Sequence, residues 1–526
     1  MSRRLVLLCA VLILLHLLLV WMARAPGVLT AQDDSRYILL GQSLRSLEYR
    51  EIWRVDAPLH HVYPPVFPAV LALTGASFPL IVALQALASA AAIALAAALV
   101  WRLWSPLAAV CTLAALAVNP VLIAMAGVVR SETLFTLLGL AAVSAAAWPG
   151  FERNSRMAAA AGLAIIAALT RSVGVTLLAG LGADWLLRRR WRALAVLVLA
   201  SVATVGLWLW WSTQAAAQHV GESYVADVTM APPGRGALET FALRIRWNLQ
   251  TYLTRSIPSA LAFPTVPNTP IDNLIGVLVI CITLAAGAIV LWRRARAPLL
   301  YLATALGLYL VWPWSGTRFL VPLIPLMVPA ALAGAEAVAR RGPRRLAALA
   351  MPVLALLLVT GGSLRTGSLV RRMQACDRSN WQQDDRCMLR DQVSYFAALD
   401  FIRDSLPADA VFLSAKPEPI YLYTGRKTAP LRDALARPAD SLLSYLDRHQ
   451  TRFVLISSLQ AFELEELPDR LDHTCRSFRV RRAFPPRSWL LERQDSTGAT
   501  EDACATIDAW RTANANRNFQ LDRIMW

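Results

Sequence analysis

Six ionisable residues sit at the ends of long apolar runs: the adjacent carboxylates Asp33 and Asp34, Arg130 and Glu132 in "AGVVRSETLF", Arg171 in "LTRSVG" and Arg318 in "PWSGTRFLVP". Guanidinium forks bind a phosphate bidentately and stay charged at any pH. A carboxylate beside them can take the proton from an incoming hydroxyl, while the arginines stabilise charge developing on a departing phosphate. Taken singly, each residue has a plainer reading. Asp33 can cap the helix that follows it, Arg130 can pair with Glu132, and Arg171 and Arg318 can snorkel to headgroup phosphates. Three guanidiniums and three carboxylates on one rim favour a shared anionic ligand.

The elements that must position them are membrane helices. The chain has 526 residues, 56% of them hydrophobic, and a mean hydropathy of +0.47. That is too apolar and too long for one soluble domain. A span needs roughly 20 mostly apolar residues. Such windows recur from Leu5 to about Thr360 and predict about eleven spans, with cores near 5–23, 79–101, 106–126, 131–148, 157–170, 173–187, 192–212, 272–292, 298–312, 319–337 and 346–362. The fifth and sixth are short and share one run broken at "LTRSVG", so a hairpin that does not fully cross is an alternative. The N-terminal run has a longer core than a signal peptide and no clean cleavage site, and reads as an uncleaved first span.

The net charge of +17 invites a nucleic-acid reading, but its placement argues otherwise. Basic clusters such as Arg188 to Arg190, Arg293 and Arg294, and Arg340 and Arg341 occupy every second gap between apolar runs. This is the positive-inside pattern, and it assigns those gaps and the N-terminus to the cytoplasm. The charge marks topology and implies no nucleic-acid partner. An odd span count then puts the C-terminus, and all six residues of the rim, on the opposite side.

On that side the sequence predicts two long loops, 24–78 and 213–271, and a C-terminal extracytoplasmic α/β domain at 366–526, after a membrane domain at 1–365. Residues 35–49 read as an interfacial helix. "FALRIRWNLQTYLTRS" sorts apolar and basic residues onto opposite helical faces, which suits either a headgroup layer or packing on the outer domain. "AVFLSA" and "RFVLISS" read as buried strands and "SFRVRRAFPPRSWLLERQ" as a hairpin. Cys9, Cys111 and Cys281 lie in apolar runs. Cys376, Cys387, Cys475 and Cys504 form an even set in the outer domain and suggest two disulfides, most simply Cys376–Cys387 and Cys475–Cys504, with other pairings open.

The outer compartment offers no nucleotide sugars, so group transfer there needs a donor delivered through the lipid, such as a polyprenyl-phosphate sugar. At this point the sequence resembles a known family, the GT-C class of polytopic glycosyltransferases, in the bacterial branch related to the protein O-mannosyltransferases and the lipid A aminoarabinose transferase. "DDSRYILLGQSL" followed by "YPPVFPAVLAL", then "NPVLIAMAGVVRSETLFTLL", "GLAIIAALTRSVG", "WSGTRFLVPLIPLM" and "LPADAVFLSAKPEPIYLYTGRKTAP" carry the resemblance by their order and sidedness. It covers most of residues 1–430.

The resemblance implies a multi-pass protein of the bacterial inner membrane. It implies an inverting transfer from the lipid-linked sugar to lipid A, another surface glycan or a protein. Its catalytic base would be Asp33 or Asp34, with Asp33 preferred. Glu132 would position acceptor or metal, and Arg171 and Arg318, with Arg130, would lie near the donor phosphate. The branch's acidic–basic pair before its proline is replaced here by Val62 and Tyr63. His60, His61 and Tyr63 mark a further substrate-loop candidate. No cofactor is assigned. A divalent metal stays open, with His60, His61 or His219 as ligands, although adjacent or lone histidines are weak evidence. A flippase or transporter of lipid-linked sugars is the main rival, but it would carry charge near span centres and two related halves. An O-antigen-type ligase or polymerase is the second rival.

Overall fold

A computed structural model of the chain describes residues 3–28, 33–147, 153–217, 236–264, 270–438, 441–459, 463, 466–494 and 503–514. Six helices are long and apolar enough to cross a membrane: α1 (Arg3–Ala23), α4 (Phe78–Leu103), Trp191–Ala216, Leu274–Arg294, Thr317–Ala339 and Arg345–Ala375. A seventh span is added if the bent pair α5 (Pro106–Ala117) and α6 (Pro120–Ala126) counts as one. The chain is a multi-pass membrane protein. Four more apolar helices, Ser131–Ala147, Asn154–Thr170, Ser172–Leu187 and Arg296–Val311, have 10–17 residues, fewer than the roughly 20 that span without help. The expectation of about eleven includes these four.

The breaks between helices follow local chemistry. Pro120 cannot continue α5. Asn119 before it accepts hydrogen bonds from the Val121 and Leu122 amides at 3.1 Å each, and its amide nitrogen donates to Ala260 O at 2.8 Å. The resulting 57° bend turns the chain so that "VVR" forms the short link after α6, and α7 (Ser131–Ala147) begins with Glu132 in its first turn. Between α8 (Arg153–Thr170) and α9 (Val175–Leu187), Arg171 takes an extended backbone and a short 3-10 turn follows. Thr317–Leu323 is likewise a 3-10 turn, and it leads into the most buried helix of the bundle, Ile324–Ala339.

That helix packs tightly on Leu274–Arg294 because glycines remove side chains from the contact. A Cβ at Gly334 would lie 1.8 Å from Thr283 O, and one at Gly287 would lie 2.0 Å from Ala330 O. Outward-facing Leu7, Leu14, Leu18, Leu199, Leu278 and Leu356 remain exposed, as lipid-facing residues do. The helix Ala237–Thr251 buries Asn248, whose amide donates to the terminal carbonyls of Arg296–Val311, and exposes Leu238, Trp247 and Leu249. Its apolar face is open, which suits a headgroup layer more than packing on the C-terminal region.

The last long helix runs Arg344–Ala375 without a break, past residue 366 where the composition turns polar. Beyond it lies a five-stranded sheet of order β2-β1-β3-β5-β4, formed by β1 (Phe412–Ser414), β2 (Thr428–Pro430), β3 (Phe453–Ile456), β4 (Phe478–Phe484) and β5 (Ser488–Arg493). The first three strands are parallel and β5 is antiparallel to both β3 and β4. All of β3 is buried, as expected for a strand covered on both faces. Disulfides join Cys376 to Cys387 and Cys475 to Cys504, the simplest of the pairings left open by the sequence. Cys9, Cys111 and Cys281 are free.

The sheet does not end at β2. Residues 53–55 of the loop after α1 lie alongside it, with the Thr428 amide donating to Trp53 O at 3.0 Å and the Val55 amide donating to Thr428 O at 3.1 Å. Lys427 Nζ donates to Ile52 O at 2.8 Å, and Arg54 Nη2 meets Asp433 Oδ2 at 2.8 Å. The loop that carries Asp33 is thereby fixed to the C-terminal sheet.

Replacing Gly334 with leucine forces side-chain volume into backbone and should destabilise the bundle by about 1–3 kcal/mol or more. Gly162→Leu, at a position with open space around it, should be neutral. Thermal midpoints of the two purified variants in detergent measure the difference.

Candidate active site at one end of the helix bundle

Helix ends far apart in sequence deliver the six predicted residues to one place. Glu132 lies at its centre and is almost fully buried. Its Oε1 accepts a hydrogen bond from Arg318 Nε, and its Oε2 lies 2.8 Å from Arg171 Nη1. Arg318 extends a second nitrogen, Nη2, to Asp33 Oδ2 at 2.6 Å. Arg171 Nη1 also donates to Ser131 Oγ at 2.8 Å, and Ser131 Oγ is 2.9 Å from the Tyr37 hydroxyl. Arg130 Nε stands 3.8 Å from Asp34 Oδ1.

The plainer readings of these residues meet specific geometry. Asp33 occupies the N-cap position of α2 (Asp34–Arg45) but makes no side-chain capping bond; its carboxylate goes to Arg318. Arg130 and Glu132 face different partners. Arg171 and Arg318 turn inward to one carboxylate. An ion held this way loses hydration worth several kcal/mol, which a single contact does not recover. Two guanidiniums around one carboxylate, backed by Ser131 and Tyr37, can.

The two adjacent aspartates are in different states. Burial would raise the Asp33 carboxyl, but Arg318, Lys416 and Arg130 outweigh it and hold the group well below the usual carboxylate range. Asp34 is fully buried, neither of its oxygens has a hydrogen-bond partner among the described residues, and burial pushes its carboxyl up to about 6 against the pull of Arg130. Asp33 borders an open cavity and Asp34 does not. Of the two aspartates, Asp33 is the one that lines this cavity.

The histidine-bearing loop has a different character. His60 is buried, with Nδ1 2.9 Å from Glu51 Oε1 and Nε2 accepting the Tyr63 amide at 2.9 Å. Both ring nitrogens are committed, and burial lowers its pKa, so the ring is neutral and braces the loop. The backbone oxygens of His60 and His61 accept from Trp211 Nε1 and Ser212 Oγ. Tyr63 stacks on Tyr37, with ring centroids 4.8 Å apart. His219 lies outside the described residues. Among the described residues, no three His, Cys, Asp or Glu side chains are grouped to hold a metal ion.

Sequence reasoning missed the C-terminal contribution. A cavity of about 170 Å³ opens beside Asp33, between the loop after α1 and residues 414–433. Lys416 lines it, and Arg36 reaches across to an ion pair with Glu418. The segment "SAKPEPIYLYTGRKTAPLRD" carried a signal in its clustered charge and prolines, but nothing in it specifies which charges meet the membrane helices.

No protein-family model matches the chain, and no characterised protein matches it by sequence. Solved structures do. ArnT from Cupriavidus metallidurans in the apo state superimposes with a TM-score of 0.56 at 15% identity, over 92% of this chain and 97% of that one. The same protein bound to undecaprenyl phosphate gives 0.53 at 16%, over 93% and 98%. The oligosaccharyltransferase from Archaeoglobus fulgidus in the apo form gives 0.55 at 10%, over 95% of this chain and 76% of that one.

The Asp34 carboxyl yields a pH test. Its folded-state pKa of about 6 exceeds the ordinary 3.8, so the stability contributed by the neutral form is complete below about pH 4 and is lost as pH rises through about 6, by up to about 3 kcal/mol. The thermal midpoint of Asp34→Asn should therefore gain on wild type between pH 5 and pH 8. A gap that stays constant with pH contradicts the assignment.

Proposed function

We infer that this chain, which has the fold of the GT-C glycosyltransferases, transfers a sugar from a polyprenyl-phosphate-linked donor to an acceptor on the extracytoplasmic side of a bacterial inner membrane. The observation that carries the reading is the triple contact of Arg318, Arg171 and Glu132 beside Asp33. Binding of undecaprenyl phosphate by ArnT, a protein of the same fold, supports a lipid phosphate as the anion.

With Asp34 ionised, the three arginines and three carboxylates balance. A donor phosphate entering this cluster competes with Asp33 for the fork of Arg318. Once it takes Nη2, Asp33 loses the cation that depresses its basicity and becomes a better acceptor for a proton. The acceptor hydroxyl, deprotonated by Asp33, then attacks the anomeric carbon from the face opposite the phosphate. The C–O bond to the phosphate breaks, configuration inverts, and the oxygen leaves with its charge held by Arg318, Arg171 and Arg130. Glu132 keeps the first two guanidiniums aimed inward before the donor arrives, so little reorganisation is left for the reaction. Residues 414–433 of the C-terminal region line the cavity beside Asp33. Span centres nearly free of charge and the absence of two related halves in the sequence favour this reading over a flippase.

Asp33→Asn should abolish transfer, a loss of at least about 10²-fold to 10⁴-fold, while expression and membrane insertion stay normal. An active Asp33→Asn enzyme contradicts the assigned base, and Asp34→Asn run beside it separates the two carboxylates. Arg318→Ala should weaken binding of undecaprenyl phosphate by about 2 kcal/mol or more, read by thermal-shift titration. Unchanged affinity would leave Arg318 as a structural ion only.

A further inference from the structure

The cavity beside Asp33 is built differently from the arginine cluster below it. Four cationic and four acidic side chains line it, and most of its charge is already paired. Arg36 is bonded to Glu418, and Arg54 is shared among Glu51 at 3.5 Å, Asp56 at 3.1 Å and Asp433 at 2.8 Å. The Arg36 guanidinium also lies over two aromatic rings, 6.0 Å from Trp53 and 5.5 Å from Tyr63. An anion entering here would have to break acid–base pairs that are largely removed from water, at a cost of several kcal/mol. A neutral ring bearing hydroxyls would not. Each hydroxyl both donates and accepts, so it can bridge carboxylates and guanidiniums without disturbing their pairing.

Size agrees with charge. A volume of about 170 Å³ is many times the roughly 10–15 Å³ that seats one water and gives room for a sugar ring. Asp33 forms one wall, and an occupant at that wall presents its hydroxyl to the proposed base, on the far side of Arg318 from Glu132. We propose that this cavity seats a neutral, hydroxyl-rich ring of the acceptor glycan, and that residues 414–433 of the C-terminal region, together with Trp53 and Tyr63, select it. The proposal rests on the transferase reading and adds the acceptor's chemical class and the segment that chooses it.

Saturation-transfer difference NMR on the purified full-length protein in lipid nanodiscs tests this, with methyl glycosides of neutral hexoses and pentoses as probes and inorganic phosphate and glucose-1-phosphate as competitors. At least one neutral glycoside should give a saturable signal on wild type. The signal should fall by about tenfold or more in Ala415→Trp, which fills the cavity, and should resist both anions. The response of the thermal midpoint to undecaprenyl phosphate checks that the variant is folded, and Ala415→Leu replaces it if the tryptophan is not tolerated. No glycoside signal on wild type, a signal unchanged in the filled variants, or displacement by phosphate each overturns the proposal. A wild-type protein that binds glycosides but shows no response to undecaprenyl phosphate would instead overturn the lipid-phosphate donor and leave the cavity assignment standing.

Discussion

Glu132 is the constraint on which the site depends. Arg318, Arg171 and Arg130 come from three separate breaks in the helix bundle, and their charges repel one another. A buried carboxylate that takes two of them at once converts this repulsion into a fixed geometry. The bend at Asn119–Pro120 exists, in functional terms, to set the start of α7 at that point. The 3-10 turn at Thr317–Leu323 does the same for Arg318 at the head of the most buried helix. Removing Glu132 would take the carboxylate from Arg171 and leave Arg318 with Asp33 alone, which is far costlier than never having buried the group.

The second constraint is the strand-like addition of residues 53–55 to the edge of β2. Edge strands need cover, and here the cover is the loop that also carries Asp33. The membrane helices supply the cluster of arginines and carboxylates, and residues 414–433 line the polar cavity beside it. Asp33 sits where the two meet, touching Arg318 below and the cavity above. This division matches a transfer between a donor that arrives in the lipid and an acceptor that arrives from the aqueous side.

Much of this was legible in the sequence, for identifiable reasons. Apolar runs respond to the bilayer alone, so the approximate positions of the helices could be read, though not the bend at Asn119–Pro120 or the extension of the last helix to Ala375. β3 was visible because a fully buried strand is a continuous apolar run. Asp33, Glu132, Arg171 and Arg318 stood out because charge next to hydrocarbon needs a partner. Their pairing was not legible: Arg130 could as well have joined Glu132, and only the bend after Asn119 decides that it faces Asp34. The roles of Lys416, Glu418 and Asp433 were hidden because soluble α/β regions are charged everywhere, and sequence does not say which charges cross to another part of the chain. His60, singled out as a ligand candidate, is a brace whose partner Glu51 lies in the same loop.

The most direct test is a structure of the full-length protein in a lipid nanodisc with undecaprenyl phosphate bound. The account predicts the phosphate within hydrogen-bond distance of Arg171 and Arg318, with Asp33 released from Arg318 and turned toward the cavity. A phosphate bound at the opposite end of the bundle, or one that leaves the Asp33–Arg318 contact intact, would contradict it.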